Sequence, residues 1–96
     1  MLLIAHPILN PWVENLTLDG TKSTVTSGNC VRFDACTGGG TKDCTIKDSK
    51  AQGVYIFNSS VGVEVSDCDF TGTEGIALSM DTSTYLKIFK NRVVPQ

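Results

Sequence analysis

The chain has 96 residues, 41% of them hydrophobic, and a formal net charge of −2 at pH 7, enough for one domain with a modest core and too little for two. Its acidic and basic residues are interspersed, which excludes a basic face for nucleic acid and a groove that draws in polyanions by bulk charge.

The first nine residues, Met1 to Leu9, are almost wholly apolar. They lack a basic leader, Pro7 interrupts them, and they fall short of the roughly 18 apolar residues a bilayer span needs, so neither a signal peptide nor a membrane partner is expected. Leu2 and Ile4 instead begin a partial coil with His6-Pro7 as its exit, and residues 1–12 are read as a partial coil or cap.

One short phrase then recurs. Asn15-Leu-Thr-Leu-Asp19, Asp43-Cys-Thr-Ile-Lys47, Gly62-Val-Glu-Val-Ser66 and Tyr85-Leu-Lys-Ile-Phe89 each alternate apolar, polar, apolar, the pattern of a strand with one buried face. Their inward columns are expected to be Leu16, Cys44, Val63, Leu86 and Leu18, Ile46, Val65, Ile88. A second series is interleaved: Cys30-Val-Arg-Phe-Asp34, Gly53-Val-Tyr-Ile-Phe57 and Gly75-Ile-Ala-Leu-Ser79, with inward columns Val31, Val54, Ile76 and Phe33, Ile56, Leu78. From like residue to like residue, Val31 to Val54 is 23, Val54 to Ile76 is 22, Ile46 to Val65 is 19 and Val65 to Ile88 is 23, which is the period of a stacked repeat. Leu18 to Ile46 is 28, and the surplus is assigned to an excursion through Thr37-Gly-Gly-Gly-Thr41. A leucine-rich repeat has a similar period but needs a Leu-rich consensus with an inward Asn, and Val, Ile, Thr and Phe dominate here.

On these phrases the chain resembles right-handed parallel β-helix repeats, as in pectate-lyase-like enzymes, polygalacturonases, alginate epimerases and bacteriophage tailspikes. The resemblance covers residues 13–93, leaving 94–96 as a tail. It implies an all-β, single-stranded parallel β-helix of about four coils with a tight turn after the first strand, for which Thr21, Ser49, Cys68 and Asn91 form the candidate ladder. Four coils at about 4.8 Å each make a column some 20 Å tall with an open sheet edge at either end. No amphipathic helix is present to cap it, so the chain reads as a fragment of a longer chain or one subunit of a homo-oligomer, a trimer being favoured.

The four cysteines read mainly as small buried fillers, Cys44 in an inward column, Cys68 in the turn ladder and Cys36 aligned with Ser59 and Asp81. One disulfide, Cys30 with Cys36 or Cys44, is the alternative. The spacings form no paired zinc knuckles and His6 is the sole histidine, so no metal or other cofactor is expected. Asn15 and Asn58 each open an N-glycosylation triplet but are more simply turn residues, and Asp67 and Asp69 read as a corner rather than a calcium site.

Chemistry is therefore sought on the outward faces, expected to stack as Thr17, Thr45, Glu64, Lys87; Asp19, Lys47, Ser66, Phe89; Arg32, Tyr55, Ala77; and Asp34, Phe57, Ser79. Tyr55 and Phe57 on one outward face are the candidate sugar platform, with Lys47, Glu64 and Lys87 as residues that hydrogen-bond hydroxyls. The plain alternative is that the aromatics pack under a loop or a subunit, and that Glu64–Lys87 and Asp19–Lys47 are simple surface ion pairs. The catalytic signatures of polygalacturonases and alginate epimerases are missing, so no catalytic residue is named. What the resemblance implies is a polysaccharide partner and a glycan-recognising segment of a tailspike or similar protein, extracellular or on a virion surface. A secreted lyase or hydrolase fragment and a purely structural repeat domain are the alternatives.

Overall fold

The computed structural model describes the backbone of residues 3–5 and all of residues 9–21 and 28–94; Leu2 and the His6-Pro7 exit lie outside the described residues. Among these, twelve strands of three or four residues follow one another: β1 (Leu3–Ala5), β2 (Trp12–Glu14), β3 (Thr17–Asp19), β4 (Val31–Asp34), β5 (Gly40–Lys42), β6 (Thr45–Lys47), β7 (Val54–Phe57), β8 (Glu64–Ser66), β9 (Asp69–Thr71), β10 (Leu78–Met80), β11 (Lys87–Phe89) and β12 (Arg92–Val94). Every third strand pairs in parallel, which gives three four-stranded sheets: β1-β4-β7-β10, β2-β5-β8-β11 and β3-β6-β9-β12. The chain thus visits a first, second and third sheet in turn and repeats the circuit four times, as a β-solenoid. Its shortest dimension, 20 Å, is that of four rungs spaced at about 4.8 Å.

The inward side chains form one core. The first sheet contributes Val31, Phe33, Val54 and Ile56, the second Thr41 and Val65, and the third Leu18, Ile46 and Phe70, all buried. The strands are so short because the chain must turn a corner three times per coil. At the corner between second and third sheets Asn15, Asp43, Asp67 and Lys90 stand one above another in the left-handed region, at φ 57, 54, 51 and 54°. Asn and Asp tolerate that conformation better than other residues with a Cβ. The backbone ladder runs through the corner unbroken, from Asn15 N to Lys42 O, Asp43 N to Ser66 O and Asp67 N to Phe89 O. Asn15 and Asn58, both at positive φ, are turn residues as expected.

The register corrects the sequence reading at several points. The phrases at 15–19 and 43–47 belong to the third sheet, whereas those at 62–66 and 85–89 belong to the second. Ile46 therefore lies between Leu18 and Phe70, and Val65 between Thr41 and Ile88. Each phrase is a corner residue followed by a strand, and two different corners produce the same alternation; the spacing of 19 between Ile46 and Val65 is a step from one sheet to the next. In the first sheet Leu78, not Ile76, follows Val54, and Met80 follows Ile56. Ile76 is 59% exposed.

The surplus in the first interval is not an excursion through Thr37–Thr41. Gly40–Lys42 is the strand β5, and the extra residues lie between Asp19 and Val31. The glycines answer a close approach: a Cβ on Gly40, at φ +150°, would stand 1.9 Å from Glu64 O, and one on Gly39 would stand 2.2 Å from Pro11 O.

The single turn ladder read from the sequence is two. Ser49 sits at the corner from third to first sheet, where its hydroxyl donates to Gln52 O at 2.7 Å. Cys68 and Asn91 share the second-to-third corner with Cys44. There Asn91 accepts from Cys68 N at 3.0 Å and donates to Val65 O at 2.9 Å. Cys68 Sγ and Cys44 Sγ point in the same way at Thr41 O, 3.6 Å, and Val13 O, 3.5 Å. Cys36 aligns with Ser60, whose Oγ accepts from Cys36 N at 3.0 Å, rather than with Ser59.

All four thiols are free and buried. Burial pushes Cys30 and Cys68 above the ordinary thiol value of 9.0. Below pH 9 the folded and unfolded chains both hold these protons and the stability they confer is complete. As pH rises past 9 the unfolded chain ionises first, so stability falls until the folded values are passed. Urea unfolding between pH 7.5 and 10.5 is expected to show a midpoint that drops above pH 9, with the drop flattened in Cys30→Ala/Cys68→Ala.

Candidate functional site: the outer face of the first sheet

Outward residues of the first sheet pair across rungs as Arg32 with Tyr55 and Asp34 with Phe57, and Ser79 with Tyr55 on the other side. Ala77 thus gives way to Ser79 in the expected column, for the same two-residue shift that moved Ile76. The strand's period of two sets Tyr55 and Phe57 on one face, where their rings stack with centroids 4.5 Å apart and planes 6° from parallel. Arg32 Cζ stands 5.0 Å from the Phe57 ring centre. Arg32 Nε is buried and makes no hydrogen bond, while Asn58 Nδ2 donates to Asp34 Oδ1 at 2.8 Å.

The geometry qualifies the expected platform. One face of each ring is already spent on the other, so the pair stands as a rigid upright block. Tyr55 keeps its edge and one further face, whereas Arg32 comes over Phe57. The cluster offers aromatic surface, the guanidinium of Arg32, whose buried Nε lacks a partner, and the Asp34–Asn58 pair on the same face.

The other three candidates are elsewhere. Lys47 lies on the third sheet, 4.0 Å from Asp19 with both side chains over 40% exposed, a pair worth less than about 1 kcal/mol. Glu64 and Lys87 lie on the second sheet as rung neighbours. Glu64 Oε2 accepts from Ser66 Oγ at 2.8 Å. Trp12, 46% exposed, heads the same column one rung beyond Gly40. The five candidates are therefore shared among three faces: Tyr55 and Phe57 stack on the first sheet, Glu64 and Lys87 are rung neighbours on the second, and Lys47 stands apart on the third.

Arg32, Asp34 and Asn58 were not singled out from the sequence. The signal that finds Arg32 and Asp34 was present: both alternate outward on the strand that precedes Tyr55 and Phe57 by one repeat of 23 residues. Asn58 is set by the left-handed turn that follows Phe57, which no spacing reveals. Asp67 and Asp69 fall on either side of a corner, Asp67 at φ 51° and Asp69 opening β9, 3.9 Å from Arg92. Among the described residues no three His, Cys, Asp or Glu side chains converge, and no helix is long and apolar enough to cross a membrane.

No curated protein and no solved structure matches the chain. The model of the right-handed β-helix region matches residues 8–93, nearly the whole sequence. With the parallel three-sheet circuit already established, the chain belongs to the right-handed β-helix family.

Proposed function

We propose that this β-helix domain recognises carbohydrate through the outer face of its first sheet, as a segment of a virion tailspike or similar cell-surface glycan-binding protein. It would act outside the cell or on a virion surface, within a homo-oligomer such as a trimer or as part of a longer chain. The reading rests on one observation: a stacked Tyr55–Phe57 pair, half-buried on an outward face, carries beside it an arginine with an unpartnered buried nitrogen.

Sugar rings present apolar C–H faces and a fringe of hydroxyls. The free face of Tyr55 packs against the former at little entropic cost, because the stack already holds its two side-chain torsions. Arg32 donates to the hydroxyls, and Asp34 and Asn58 complete the polar fringe. Binding of the native protein to a panel of neutral and acidic oligosaccharides, read by amide chemical-shift changes, is the test. Tyr55→Ala is expected to weaken the bound glycan at least tenfold while leaving the fold intact. Absence of binding across the panel, or a Tyr55→Ala protein that binds as the native one does, would show the reading to be wrong.

A further inference from the structure

The two ends of the stack differ. In the first coil Leu18 is fully buried and Val13 is 9% exposed, whereas in the fourth Ile88 is 37%, Met80 49% and Val93 57% exposed, although all are on inward positions. What covers such positions elsewhere in the molecule is known three times over: Ile56 faces Met80, Val65 faces Ile88 and Phe70 faces Val93 on the next rung. On the far side of β10, β11 and β12 the described residues supply no further strand.

Charge narrows the partner. Residues 54–77 carry four acids and no base, and residues 78–94 three bases and one acid. The two coils are matched position by position, with Lys87 beside Glu64 and Arg92 beside Asp69 in register, and Lys90 in the column of Asp67. Lys50 and Glu74 likewise join the second coil to the third, at 2.8 Å. A second copy offers no such match. Docked fourth coil to fourth coil it would set three bases against three, and docked by its first coil it would bring Val13 and Leu18, which are already covered, against Ile88 and Val93.

The geometry points to the fourth coil as a docking surface for a β-helix rung from another segment, apolar on its inward positions and acidic on its outward ones. Such a rung extends all three sheets by parallel strand addition, with main-chain bonds providing affinity and Lys87, Lys90 and Arg92, side by side along the fourth rung, choosing the partner.

The probe is a synthetic peptide of residues 54–77, titrated into the native protein alongside a version with Glu64, Asp67, Asp69 and Glu74 changed to Lys. The acidic peptide is expected to bind, to shift the amides of β11 and β12, and to raise the melting temperature by a few degrees. The reversed peptide is expected to bind at least tenfold more weakly. Val93→Asp should abolish binding of the acidic peptide while the protein stays folded, its side chain being half in solvent already. No binding of the acidic peptide, or equal binding of both, overturns the proposal. So does a native protein whose sedimentation mass falls in Val93→Asp, since the face would then be taken by a second copy.

Discussion

Val65→Asp is expected to yield no cooperatively folded protein. Val65 has no exposed surface and lies between Thr41 and Ile88 on the second sheet, with the inward columns of the other two sheets filling the space beyond it. A carboxylate there has no cation within the core, and an ion left unpaired in such surroundings costs several kcal/mol even after relaxation. A domain of this size has about 5–15 kcal/mol of stability in all. The companion substitution Ile88→Asp occupies the same column one rung on, where 37% of the residue is in solvent, and is expected to leave a folded protein with a lower urea midpoint. Circular dichroism and urea titration of the two variants separate the readings. If both unfold alike, the fourth coil is covered as well as the third; if Val65→Asp folds, the register of the second sheet is wrong.

Phe70→Ala carries the next largest effect, a loss of about 3–5 kcal/mol, the usual cost of deleting a buried phenyl ring. Phe70 is 1% exposed and stands between Ile46 and Val93. Its ring is one of the two largest fully buried side chains, and Phe33, the other, lies on the first sheet. The cost also tests the register. Ile46→Val combined with Phe70→Ala should depart from additivity by about 0.5 kcal/mol or more, because the two side chains stack directly and the second loss enlarges a cavity the first has already opened. Additive costs, measured as shifts in urea midpoint at constant slope, would remove the Ile46–Phe70 contact and restore the pairing of Ile46 with Val65.

These two residues also show where sequence reading runs short. Alternation and period are local properties of the chain. Leu16-Thr-Leu18 or Val63-Glu-Val65 announces a strand with one buried face wherever it occurs, and a recurrence of about 23 residues announces stacking. From these follow the parallel β-helix, its coils of about 23 residues, the buried thiols and the outward pair Tyr55 and Phe57. Phe70 went unnamed because Cys68 was placed in the turn ladder and Cys44 in an inward column, so that Asp69–Thr71 was not set beside Thr45–Lys47. The match of Cys68-Asp-Phe70 to Cys44-Thr-Ile46, 24 residues earlier, becomes visible only when cysteine is accepted as a corner residue that points at a carbonyl as Asn91 does.

What the sequence determined by itself is therefore the kind of element and the fact of repetition, since both depend on which side chains lie two residues or one coil apart. Which phrase stacks on which is a tertiary matter. A phrase looks the same on any of three sheets, and the choice among them is made by the corners, where left-handed residues such as Asp43 and Asp67 turn the chain by an amount that spacing does not record. The same holds for the candidate site. Alternation set Arg32, Asp34, Tyr55 and Phe57 outward, but the ring stack, the guanidinium over it and the turn that brings Asn58 to Asp34 arise from side-chain packing in three dimensions. Lys47, Glu64 and Lys87 were drawn into one site on the sequence because two sheets were counted as one; the corner between those sheets separates Lys47 from Glu64 and Lys87, which remain neighbours.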